Sequence, residues 1–75
     1  MKTAEDEILR FVQPLASQSQ EVKVEKIDGD PVVFQVTISK NDLAEVSSML
    51  KVIQAIAGYS SGLTYGQFEV KILTK

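Results

Sequence analysis

The sequence predicts an α+β fold of order α-β-β-α-(α)-β, with a three-stranded, mostly antiparallel sheet and helices on one face. Three observations predict it. Two stretches, 21–27 and 32–38, alternate apolar and polar residues on either side of the turn "DGDP". Two others, 4–17 and 43–57, repeat apolar residues at helical spacing, and a last alternating run, 67–73, closes the chain. Each strand offers a single apolar face, so the helices must share it. The 75 residues, 44% apolar and 24% charged, form one domain over 1–75, near the lower size limit for a core without disulfides or metal.

The first helix runs from about Ala4 to Ser17, with Ile8, Phe11, Val12 and Leu15 on one face. Thr3 followed by Asp6 has the form of an N-cap with an acidic third position, and Glu5, Asp6 and Glu7 suit the positive end of the helix dipole. Pro14 removes a backbone bond, which predicts a kink there or an earlier helix end. "SQSQ" at 17–20 is a polar connection.

In "EVKVEKI" Val22 and Val24 alternate with Lys23 and Glu25, the period of a half-buried strand. In "VVFQVTI" Val32, Phe34, Val36 and Ile38 share one face, opposite Val33, Gln35 and Thr37. Two such runs across a short Gly- and Pro-bearing turn make an antiparallel hairpin. "SKND" then offers Ser39 or Asn41 as an N-cap.

The stretch "LAEVSSMLKVIQAIAG" admits two readings. Leu43, Val46, Leu50, Ile53 and Ala57 keep helical spacing straight through "SSML", which reads as one helix ending at Gly58. A straight helix of about 16 residues would span roughly 24 Å. That is long for a sheet of such short strands and favours a break or sharp bend. "GYSSGLTYGQ" is a glycine-bearing loop, and Phe68, Val70 and Ile72 face inward from the last strand.

With no Cys and no His, disulfides, thiolate zinc and imidazole acid–base chemistry are all excluded. No metal site or cofactor is expected: "DGD" at 28–30 has too few oxygen ligands for a calcium loop, and "GLTYG" lacks the Lys and helix start of a phosphate loop. Catalysis would rest on an unassisted Ser47–Lys51 pair, so neither an enzyme nor a small-molecule substrate is expected. No apolar run approaches the roughly 20 residues of a membrane span. "MKTAEDEILRF" turns acidic at once, unlike a signal peptide, and a cytoplasmic protein is expected. The net charge of −2 is a handicap for binding phosphates, and the basic residues are scattered along the chain.

The element order, at this length, resembles a type II KH domain, and in particular the small bacterial proteins that consist of little more than one such domain. The resemblance covers about residues 7–73. It is carried by "EILRFVQPLA", the hairpin "EVKVEKIDGDPVVFQVTIS", "NDLAEV" at the opening of the next helix, and "IQAI" followed by "FEVKIL". It implies two helices joined near Ser47–Leu50, where the family places a Gly-x-x-Gly turn that clamps a stretch of RNA backbone. Here that position reads Ser47, Ser48, Met49, Leu50, Lys51, one residue short and without either glycine.

Two functions follow as expectations. One is a weak or sequence-poor RNA-binding module, with single-stranded RNA as partner. Lys40 and Lys51 would meet phosphates, Ser47 and Ser48 would complete the residual clamp, and Ile53 would line the groove wall. The alternative is a protein-interaction or dimerisation module that keeps the fold without nucleic acid, pairing as a homodimer or with a second KH-type protein. Tyr59 and Tyr65 could stack on bases, but aromatics are few in this chain and both are expected to pack.

Overall fold

The structure is a computed structural model that describes residues 3–75. Among these residues three α-helices and a three-stranded sheet occur in the order α1 (Ala4–Val12), β1 (Lys23–Ile27), β2 (Val32–Ile38), α2 (Leu43–Ser48), α3 (Leu50–Ser61) and β3 (Phe68–Thr74). The α+β class and the element order expected from the sequence are both present.

Helix α1 opens with a reciprocal cap. The Thr3 hydroxyl accepts from the Asp6 N–H at 3.2 Å, and the Asp6 carboxylate accepts from the Thr3 N–H at 3.4 Å. Pro14 produces the earlier helix end rather than a kink, because α1 stops at Val12 and a 3₁₀ turn over Gln13–Leu15 takes up the proline in its first positions. A second 3₁₀ turn, Ser19–Glu21, leads into β1.

The sheet order is β1-β2-β3. The hairpin pairs antiparallel, with Glu25 opposite Gln35. Where a mostly antiparallel sheet was expected, the second pairing is parallel, Phe34 opposite Val70 and Val36 opposite Ile72, so the sheet is mixed. Its cause is the helical crossover: with α2 and α3 between them, β2 and β3 are no hairpin and can run in the same direction.

The central strand supplies the heart of the core through Phe34, Val36 and Ile38, all fully buried. Against them lie Ile8 and Val12 of α1, Val46 of α2, Ile53 and Ala57 of α3, and Phe68 of β3. Helix α1 packs on α3 and on β1, while α3 packs on β3. The other face of the sheet carries Ile27, Val33, Glu69 in one row, Glu25, Gln35, Lys71 in the next, and Lys23, Thr37, Leu73 in the third.

Gly58 does not end the second helical region. Helix α3 continues to Ser61 and is capped by Gly62, whose φ of 76° places it in the left-handed region with its N–H on the Gly58 carbonyl at 3.0 Å. Gly58 serves closeness instead: a Cβ there would stand 3.2 Å from Cζ of Phe68.

Candidate nucleic-acid interface

The surface in question begins where β2 ends. Ser39 accepts from the Asn41 N–H at 3.4 Å and starts a 3₁₀ turn over Lys40–Asp42 that runs into α2. Asp42 anchors the turn. Its side chain, only 5% exposed, accepts from the Ser17 hydroxyl at 2.6 Å, the Ser17 N–H at 3.0 Å and the Gln18 N–H at 3.3 Å. The Ser17 hydroxyl bond and the backbone bonds hold the carboxyl below its usual pKa, against the opposing effect of burial. The connection after α1 and the entry to α2 are thereby tied together.

Helix α2 is only six residues long and ends at Ser48. The Ser48 hydroxyl donates to the Glu45 carbonyl at 2.6 Å, and the Met49 N–H reaches back to the Val46 carbonyl at 3.0 Å. Both bonds close the last turn tightly. Met49 itself has φ −104° and ψ 14°, the sparsely populated bridge region. Its carbonyl then accepts from the Ile53 N–H at 3.0 Å and opens α3. There are two helices with a one-residue joint. Among the described residues no non-glycine has a positive φ, which is why this joint forms without glycine. The unbroken apolar stripe is explained as well. Val46 and Ile53 both reach the same core, so the interruption of the helix at Met49 leaves the stripe in phase.

Around the joint Ser47, Ser48 and Lys51 are exposed, and Lys40 is exposed at the other end of α2. Neither lysine forms an ion pair among the described residues. Ile53, expected on a groove wall, is fully buried in the core and presents no surface to a ligand. The turn at 28–30 carries an ion pair from Lys26 Nζ to Asp28 at 3.9 Å. Among the described residues no group of three or more acidic side chains is placed to hold a metal.

The tyrosines depart most from expectation. Tyr59 is 93% exposed and Tyr65 76%, so neither packs into the core. Tyr65 lays its ring on Phe68 with centroids 5.9 Å apart and planes at 24°. Between α3 and the following loop lies a shallow, largely apolar cavity of about 410 Å³, lined by Ala55, Gly58, Tyr59, Leu63, Tyr65 and Phe68 among others. Lys51, Ala55 and Tyr59 recur every four residues and form one exposed stripe along α3 beside this cavity. The signal in the sequence was the spacing Lys51–Ala55–Tyr59, visible only once the buried face of α3 is known.

Compared with family models, with curated proteins and with solved structures, the chain finds no match. Among the described residues no helix is long and apolar enough to cross a membrane.

Proposed function

We propose that the chain is a KH-like domain that acts in the cytoplasm as a weak, sequence-poor binder of single-stranded RNA. One observation carries the reading: the exposed stripe Lys51–Ala55–Tyr59, beside an apolar cavity whose far wall is Tyr65. Two exposed aromatic rings lining one cavity, with an unpaired cation one turn before Ala55 on the same helix, suit stacked bases and a backbone phosphate. Ser47 stands near Lys51 as a hydroxyl donor to the same phosphate, whereas the Ser48 hydroxyl is already given to the Glu45 carbonyl, and Lys40 lies at the other end of the short α2. The resemblance to type II KH domains supports the reading further, because the chain turns between two helices at the position where that family grips RNA.

Fluorescence anisotropy with mixed single-stranded RNA at low salt tests it. Binding should register by about 100 μM protein, a concentration at which sequence-independent contacts are ordinarily visible. Tyr59→Ala should weaken it by about fivefold or more, the lower end of a lost base stack. Lys51→Gln should reduce the slope of affinity against salt by about one phosphate. No binding at that concentration rejects the proposal.

A second reading, a protein-interaction module that keeps the fold without nucleic acid, is favoured by the terminal position of β3 in the sheet. An uncovered edge strand is a template for another chain. Sedimentation over a range of concentrations, with a strand-peptide binding assay beside it, tests that reading.

A further inference from the structure

The cavity beside α3 also has a polar part. Its lining includes Gln54, half-buried, whose side-chain amide makes no hydrogen bond among the described residues. The Leu63 carbonyl, in the same lining, likewise has no hydrogen-bond partner among them. The groups around it are satisfied. The Leu63 N–H donates to the Ser61 hydroxyl at 3.2 Å, the Thr64 N–H to the Gln67 side chain at 3.0 Å, and the Gln67 N–H to the Thr64 carbonyl at 2.9 Å. These bonds close the loop on itself and fix the Leu63 carbonyl as an acceptor. Tyr65 is held too, by its bridge to Phe68 and by the stack of the two rings.

The two idle groups are close enough to serve one ligand. A Cβ on Gly58 would lie 3.4 Å from the Leu63 carbonyl oxygen. Gln54 stands one turn earlier on α3, its Cβ about 5–6 Å from that point. A glutamine side chain spans such a distance, so its amide and the carbonyl can meet neighbouring positions on the edge of one base. A carbonyl only accepts, whereas a glutamine amide turns either its NH₂ group or its oxygen forward. The base-pairing edge of every ordinary base sets a donor beside an acceptor. In adenine and cytosine these are the amino group and a ring nitrogen; in uracil and guanine they are the ring N–H and a carbonyl. The Leu63 carbonyl takes the donor and the Gln54 NH₂ group serves the acceptor in each case. Passing from one arrangement to the other needs only a slide of the base along an aromatic ring, which stacking tolerates.

We propose that Gln54 and the Leu63 carbonyl read the base-pairing edge of one unpaired base stacked in this cavity, accepting all four bases and refusing an edge that is already paired. The proposal rests on the RNA-binding reading and deepens it: the adaptable amide is the physical cause of binding that is sequence-poor yet confined to single strands.

Competition anisotropy with oligomers of about eight nucleotides tests it from the ligand side. N3-methyluridine, in which a methyl group replaces the donor of that edge, should bind about tenfold more weakly than uridine, because it leaves the two protein groups unpaired. C5-methyluridine, with its methyl group away from that edge, should bind like uridine. Adenosine and cytidine oligomers should fall within about threefold of uridine. Gln54→Leu, with its fold checked by circular dichroism, should shrink the gap between uridine and N3-methyluridine by about threefold or more, one hydrogen bond having been removed from both sides of the comparison. Equal binding of uridine and N3-methyluridine, a gap that survives Gln54→Leu in full, or a preference above about tenfold among adenosine, cytidine and uridine overturns the inference and leaves the RNA-binding reading standing. No binding of any oligomer at about 100 μM protein overturns both.

Discussion

Gly58 offers a measurable check on how α3 sits against the sheet. It lies inside the helix, where glycine costs about 1 kcal/mol relative to alanine, so a substitution at an open site would stabilise by that amount. The site is not open. A Cβ would meet Cζ of Phe68 at 3.2 Å, Cε1 at 3.3 Å and the Leu63 carbonyl at 3.4 Å. The Phe68 ring is itself held, edge-on to Phe34 at 6.1 Å and beneath Tyr65 at 5.9 Å. Moving its tip by a few tenths of an ångström costs toward the lower end of the roughly 1–3 kcal/mol seen on overpacking. Gly58→Ala should therefore leave stability within about 0.5 kcal/mol of the natural chain, the helix gain and the contact cancelling. Gly58→Val, with two more carbons directed at the ring, should lose about 1–3 kcal/mol. In a Phe68→Leu background the ring tip is gone, and Gly58→Ala should recover its full stabilisation of about 1 kcal/mol. Urea unfolding followed by circular dichroism measures all of these, with unchanged m-values as the control. If Gly58→Ala alone stabilises by the full helix increment, α3 does not press on Phe68 and the reasoning fails.

Three further outcomes are expected. Gly62→Ala, at a φ of 76° with open space around it, should cost about 1 kcal/mol by left-handed strain alone, or about 4–8 °C in a domain of this size. Asp42→Asn should destabilise most at neutral pH. The Asp42 carboxyl has a lowered pKa in the folded chain, so its contribution is complete above the ordinary carboxylate value of about 3.9 and disappears as the pH falls through the lowered one; thermal melts of the two chains should therefore converge in acid. Ser48→Gly combined with Lys51→Gly should lower the melting midpoint and weaken RNA binding rather than strengthen it. Neither position has a positive φ for glycine to relieve, each helical glycine costs roughly 0.5–1 kcal/mol, and the change deletes a cation; a raised midpoint would contradict the geometry at Met49.

Much of the fold was legible because its signals are local. The cap at Thr3, the stop at Pro14, the hairpin around "DGDP" and the alternation of Phe68, Val70 and Ile72 each depend on residues a few positions apart. What periodicity could not decide was the break at Met49. A hydrophobic stripe records which face is buried, and α2 and α3 bury against the same core whether or not the hydrogen-bond ladder between them is continuous. The parallel pairing of β3 is a long-range choice of the same kind. Alternating residues say that a strand has one apolar face and nothing about its direction.

The candidate site was harder to read for a related reason: its side chains are defined by what the fold leaves uncovered. Ile53 and Tyr59 illustrate the exchange. Both are large residues of α3, and the sequence assigned the first to a ligand groove and the second to packing. The structure places Ile53 in the core and Tyr59 in solvent, and Gly58 links the two outcomes. Ile53 and Ala57 are fully buried on the face of α3 that packs onto the core. The missing Cβ at Gly58 lets the flank of that face lie against the Phe68 ring at a separation that any other residue would widen. At about 100° of rotation per residue, a helix seated with Gly58 against Phe68 turns the next side chain, Tyr59, away from the sheet. The glycine whose place in the sequence suggests a helix end thus seats the helix against Phe68, and by doing so sets an aromatic ring in solvent one turn beyond Ala55 and two beyond Lys51. A cation and a stacking surface come to share one stripe as a consequence of core packing, without a glycine at the joint between α2 and α3.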